Sequence, residues 1–159
     1  MSKTTRATQA LASAGIAFTT HTYDYDPNAE RIGLQAAEAI GEAPHRVLKT
    51  LMAEADGKPV CVVVPSDREV SMKKLAAAFG AKSATMMKPA MAEKVTGFVV
   101  GGISPFGQRK KVPTAIEEKA MTESLVYMNG GQRGLQVRLS PLDAAAVLDA
   151  IVAPVIAES

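Results

Sequence analysis

Two apolar runs, Val47 to Ala55 and Lys58 to Pro65, are separated by Asp56-Gly57. That dipeptide favours a type I′ turn, whose two left-handed residues match the twist of a two-stranded ribbon, so the pair reads as a β-hairpin. Upstream, residues 4–14 read as a helix stopped by Gly15, and Ile16, Phe18 and Thr20 alternate into a strand ending near Tyr23. Asp24 to Arg31 is a polar loop, and a short helix from Leu34 to Ile40 stops at Gly41. Downstream, Ser71 caps a helix running to Phe79, with Gly80 as its left-handed stop. A strand follows near Ala84 to Met87. Pro89 opens another helix that Gly97 ends, and Phe98 to Val100 reads as a strand delivering a glycine loop. Ser124 to Met128 and Leu135 to Leu139 read as strands joined by a Gly130-Gly131 turn, and Ser140-Pro141-Leu142-Asp143 opens the last helix. Hairpins mixed with scattered helices, rather than strict βαβ alternation, predict a mixed α/β (α+β) fold around a mostly antiparallel sheet.

Composition narrows the function classes. A chain of 159 residues with 47% apolar content suits one domain over residues 1–159, burying ~70% of its unfolded surface. No apolar run approaches the ~20 residues of a membrane span, and the Ala-rich start, broken by Gln9, Ser13 and Gly15, makes a poor signal peptide. The single Cys61 lies in Val60-Cys61-Val62-Val63-Val64, which excludes an intrachain disulfide, offers no metal spacing and fits a reducing cytoplasmic compartment. Net charge is only +2, so any attraction to nucleic acid must come from local clustering. Such clustering exists: no acid lies between Glu93 and Glu117, where Lys94, Arg109, Lys110 and Lys111 fall, nor between Glu123 and Asp143, where Arg133 and Arg138 fall.

Chemistry is sparse by residue type. Cys61 reads as a core thiol, His21 and His45 form no defensible triad or metal pair, and no Walker-type phosphate loop is present. Two features stand out. In Val47-Leu48-Lys49-Thr50-Leu51 the strand period puts a cation in an otherwise apolar row, which fits either an edge-strand lysine or a pocket residue. In Gly101-Gly102-Ile103-Ser104-Pro105, paired glycines permit positive φ and close backbone approach, so successive N–H groups can converge on one oxygen; a tight turn is the plainer alternative. Ser104 has no visible base and reads as a hydrogen-bonding loop residue.

These segments, with His21-Thr22-Tyr23, Lys73-Lys74-Leu75-Ala76, Gly80-Ala81-Lys82 and Asn129-Gly130-Gly131-Gln132-Arg133-Gly134-Leu135, closely resemble the YbaK/EbsC family of Cys-tRNA(Pro) deacylases, over almost the whole chain. The resemblance implies a curved sheet wrapped by several helices, of the aminoacyl-tRNA synthetase-associated type, and an enzyme that clears mischarged tRNA in trans. It implies that Lys49 and Gly101 are catalytic, holding the ester and stabilising its oxyanion, with Tyr23, Thr50, Gly102, Ile103, Ser104, Pro105, Arg133 and Gln136 around the substrate. At Gln136 relatives with deacylase activity often carry Asp; an amide accepts a hydrogen bond from an α-ammonium but offers no countercharge. Strand, turn and surface-packing roles remain the alternatives for Tyr23, Thr50 and the Gly130-Gly131 turn. Arg109, Lys110 and Lys111 are the best candidates for tRNA phosphates. The resemblance further implies that the substrate cysteine supplies the nucleophile, that no cofactor or metal is used, and that prolyl-tRNA synthetase joins transiently to select tRNA(Pro). Cys-tRNA(Cys) is a further substrate the resemblance allows, and removal of alanine or another small amino acid, and a non-catalytic module binding aminoacyl-tRNA or a synthetase, are the alternatives.

Overall fold

The computed structural model describes residues 4–29 and 32–158; Glu30 and Arg31, the end of the expected 24–31 loop, lie outside the described residues. In chain order the elements are α1 (Arg6–Ser13), β1 (Thr19–Thr22), α2 (Ile32–Ile40), β2 (Leu48–Ala55), β3 (Lys58–Pro65), α3 (Met72–Ala78), β4 (Ala84–Met86), α4 (Pro89–Thr96), β5 (Thr114–Glu117), β6 (Val126–Asn129), β7 (Leu135–Leu139), α5 (Pro141–Leu148) and β8 (Ile151–Ala153). Their ends follow local chemistry. Thr5 and Thr8 close a capping box on α1, Ser71 accepts from Lys74 N–H at the start of α3, and Ser140 accepts from Asp143 N–H at the start of α5. Asp56 and Gly57 both take positive φ, 49° and 79°, as a type I′ turn requires.

The strands form two hydrogen-bonded groups, β1-β7-β6 and β4-β2-β3-β5-β8. An isolated parallel bridge between Val47 and Tyr127 brings the two together. The three-stranded sheet is wholly antiparallel and the five-stranded one is mixed, with β3·β5 and β5·β8 parallel, so antiparallel pairing prevails overall as the hairpin pattern predicts, but in two sheets rather than one. Strands β5 and β8 were not expected. Both are short and pair in parallel with residues far away in sequence, so no turn signal marks them. Glu117 at the end of β5 is 1% exposed, and its carboxylate accepts from Lys119 N–H and Val155 N–H, each at 2.9 Å. A buried acid thus fastens the chain after β8, which is why a charged residue can sit inside a strand.

One apolar cluster packs Leu48, Met52, Cys61 and Val63 of the hairpin against Leu11, Ala92, Phe98 and Phe106; the other packs Ala53, Val60, Val62 and Val64 against Leu75 and Ala115. The hairpin therefore separates two cores. The segment Phe98 to Val100 is not the strand expected. Gly97 caps α4 at φ 80°, Thr96 Oγ1 accepts from Phe98 N–H at 3.1 Å, and Gly102 N–H donates to the Val99 carbonyl at 2.8 Å. The apolar run is divided by that turn: Phe98 enters the core while Val99 and Val100 remain 51% and 39% exposed.

Candidate active site

Strand β2 is paired on one side with β3 along its length, but on the other side β4 meets only Ala53 to Ala55. The first half of β2 is therefore an open edge. A cavity of about 410 Å³ lies along it, walled by residues 47–52, by Met86, Met87, Pro89 and Ala92, by Val100, Gly101 and Ile103, and by Tyr23, Tyr25, Asn129 and Gln136. The two sequence readings of Lys49 thus meet in one place, since it stands on an open strand edge and also lines the cavity. Its ammonium is 3.5 Å from Glu69, whose side chain is 83% exposed while that of Lys49 is 19% exposed.

Of the residues expected around the substrate, the cavity gathers Tyr23, Lys49, Thr50, Gly101, Ile103 and Gln136. Others lie behind the wall. Ser104 is fully buried; its hydroxyl accepts from Phe106 N–H at 3.1 Å and its carbonyl from the Gln108 amide at 3.0 Å. Pro105 lines a different groove with Leu11, Phe106 and Leu148. Gly102 lies against the 132–133 backbone, where an added Cβ would come 2.7 Å from Arg133 N. Arg133 acts from outside, donating from Nε to the Val100 carbonyl at 2.9 Å with its guanidinium 5.1 Å from the Tyr25 ring centroid. Arg109, Lys110 and Lys111 do not line this cavity; their backbone turns away under the end of α4, where Arg109 N–H meets the Thr96 carbonyl and Lys110 N–H the Val95 carbonyl.

Two wall residues were missed. Tyr25 covers Gly101 so closely that an added Cβ there would lie 2.5 Å from the phenol oxygen. Its loop is held by Gln35 of α2, whose amide accepts from Asp26 N–H and donates to the Asp26 carbonyl. Asn129 donates from Nδ2 to the Gly101 carbonyl at 3.2 Å while its Oδ1 accepts from Gly131 N–H at 2.7 Å and Gln132 N–H at 3.3 Å. An Asn directly before Gly-Gly is an Asx-turn signal that finds the second contact, whereas nothing local announces the first.

Two polar atoms of cavity-wall residues are left over. Thr50 Oγ1 and Gln136 Oε1 are both buried without a hydrogen-bond partner, and leaving such atoms unpaired costs about 1–3 kcal/mol each. Gln136 itself is 4% exposed. Burial pushes the Tyr23 phenol above its ordinary range, Tyr25 adds to this, and hydrogen bonding from Gly134 and Gln136 offsets part of it, so Tyr23 remains a neutral phenol at the cavity wall. In the glycine loop, Gly102 N–H is already used by Val99, while among the described residues Gly101 N–H and Ile103 N–H have no partner. The loop N–H groups without a partner are thus separated by one residue rather than successive. Cys61 is sealed beneath the floor at 0% exposure, and burial pushes its thiol up to about 12, which removes it as a nucleophile.

The chain is a member of the aminoacyl-tRNA editing domain family, whose model matches residues 26–147. Among individual relatives, the chain is 38% identical over 106 residues to an Enterococcus faecalis protein, EbsC, designated a candidate Cys-tRNA(Pro)/Cys-tRNA(Cys) deacylase; the match covers 66% of this chain and 65% of that one. The chain thus spans just under two-thirds of that relative's length. It is 34% identical over 87 residues to the proline–tRNA ligase of Elusimicrobium minutum, covering 55% of this chain and 15% of the ligase. The fold matches the crystal structure of a candidate trans-editing enzyme for prolyl-tRNA synthetase with a TM-score of 0.81 at 22% identity, covering 96% of each chain.

Proposed function

We propose that this chain is a trans-acting aminoacyl-tRNA deacylase whose preferred substrate is cysteine mischarged on tRNA(Pro), delivered in transient complex with prolyl-tRNA synthetase. The observation that supports it most is that Thr50 and Gln136, each with a buried side-chain oxygen lacking a hydrogen-bond partner, line the same cavity as Lys49 and Gly101. Gln136 Oε1 accepts from the substrate's α-amine, and Lys49 lies toward the ester and terminal ribose. The nucleophile comes from the substrate. A thiol with an ordinary pKa of ~8.5 is a few per cent ionised at neutral pH, and an intramolecular attack avoids the entropy of recruiting a second molecule. The cysteinyl sulfur bonds to the ester carbonyl carbon, the carbonyl electron pair moves to oxygen, and collapse of that oxyanion breaks the bond to the ribose oxygen. The proton lost by the thiol balances the one taken up by the ribose hydroxyl, leaving a thiolactone and free tRNA. Gly101 N–H and the Lys49 ammonium stabilise the oxyanion, and Arg109, Lys110 and Lys111 contact tRNA phosphates.

The test is release of amino acid from Cys-tRNA(Pro), Ala-tRNA(Pro) and Pro-tRNA(Pro), with the product identified by mass. Selective cysteine release with thiolactone trapped is the expected result. Preferential alanine release moves the specificity to a sister activity, and no release even with the synthetase present leaves a binding module. Gln136→Leu is expected to raise KM for the cysteinyl ester about tenfold with a smaller change in kcat, because the lost acceptor contributes to binding in both ground and transition states. Steady-state kinetics on the two proteins checks it.

A further inference from the structure

At the far end of β2 from Lys49 a second concavity, of about 480 Å³, opens beside the hairpin turn. Lys58, Lys110 and Lys111 line it with Asp56, Phe79 and Pro113. All three lysines are exposed, and none of them takes part in an ion pair among the described residues. Asp56 is committed elsewhere, since its carboxylate accepts from Lys82 N–H at 3.0 Å and Ser83 N–H at 3.1 Å. The lysines stand on fixed backbone. Lys110 N–H bonds the Val95 carbonyl at 3.2 Å, and the Pro113 carbonyl accepts from Cys61 N–H at 2.9 Å, which ties residues 109–113 to α4 and β3. Lys58 belongs to neither basic run in the sequence; the hairpin turn alone brings it to the other two.

We propose that this basic concavity is a second RNA contact, holding backbone phosphates of the acceptor stem while the ester occupies the Lys49 cavity; the identity of the RNA rests on the deacylase reading, the site on the geometry. Strand β2 sets the separation. At about 3.3 Å per residue, Lys49 to Ala55 spans roughly 20 Å. One stacked strand advances ~3.4 Å per nucleotide, so that distance corresponds to about six nucleotides. The contact therefore falls past the unpaired 3′ end, on the paired stem, where three lysines meet phosphates without reading bases. The concavity thus offers a polyanion three lysines, none of them ion-paired among the described residues, at one fixed distance from the chemistry.

The test compares Lys58→Glu with Lys119→Glu, an equal change of net charge in an exposed lysine beyond the opposite end of β5. Binding of deacylated full-length tRNA and of a CCA trinucleotide is measured by anisotropy across a salt series. Each phosphate contact contributes a slope of about 0.7–0.9 in log affinity against log salt. The expected result is that Lys58→Glu weakens full-length tRNA at least about fivefold at low salt and flattens the slope by roughly one contact, with less than about twofold change for Lys119→Glu. The trinucleotide is expected to bind both variants alike. Equal loss in the two variants, or no loss in either, overturns the proposal. Because the probe carries no ester, loss of tRNA affinity without deacylation of Cys-tRNA(Pro) by the unaltered protein refutes the deacylase reading and leaves the RNA contact standing.

Discussion

Lys49→Ala is expected to lower kcat for cysteinyl release by about 10²–10³-fold, the range found when one donor to a developing oxyanion is removed. The side chain is mostly buried in the cavity wall, and its ion-pair partner Glu69 is largely in solvent. A pair of that kind contributes at most about 1 kcal/mol to stability, so the folded protein should survive the change with nearly the same unfolding midpoint. Single-turnover deacylation beside thermal unfolding separates the two effects. A large fall in rate at constant stability assigns Lys49 to the reaction. A fall in both makes it a packing residue of the open β2 edge, and an unchanged rate removes it from the mechanism.

Gly101→Ala is expected to cost about as much activity for a different reason. Gly101 has φ 91°, where a residue with a Cβ is strained by about 1–3 kcal/mol, and the new methyl group would come within 2.5 Å of the Tyr25 phenol oxygen and 3.2 Å of Arg133 Nε. The atom that must yield is the far end of the Tyr25 side chain rather than backbone, so the protein still folds. Swinging aside breaks the stack with Arg133 and turns the Gly101 N–H from its present direction. A fall of about 10²-fold in kcat with a modest drop in stability is the expected outcome. Gly102→Ala provides the contrast. Its Cβ would strike Arg133 N at 2.7 Å and the Gln132 carbonyl carbon at 2.9 Å, which are backbone atoms of the β6–β7 loop and cannot yield without moving the ribbon. Urea unfolding should therefore show the larger stability loss at Gly102, while kinetics shows a specific defect at Gly101.

What could be read from the sequence was what neighbouring residues decide. Asp56-Gly57 forced the hairpin, Ser71 and Ser140 capped the helices they precede, and Gly97 ended α4 with the positive φ its position called for. Lys49 was conspicuous because a cation in an apolar row needs a reason, and the open edge of β2 provides one. Long-range pairings were illegible. β5 and β8 lie in parallel beside strands distant in the chain, and the Tyr25 contact with Gly101 depends on a loop returning across 76 positions of sequence number. Phe98 to Val100 misled because three apolar residues in a row fit a strand, while the Gly97 cap and the Val99–Gly102 turn send one residue inward and leave two exposed. Lys110 and Lys111 follow the glycine loop in sequence yet stand with Lys58 beside the hairpin turn, since the chain doubles back beneath α4 between them.

The sealed position of Cys61 also has a consequence for the proposed thiolactone route. On that route, the product would be an acylating agent formed beside a chain whose one sulfhydryl is Cys61. With that group at 0% exposure and its ionisation pushed up to about 12, no thiolate is on offer to capture the acyl group or to exchange disulfides with free cysteine. Reagents that alkylate thiols would accordingly silence the cysteinyl ester and spare the protein, so that activity lost to such a reagent returns when fresh ester is supplied.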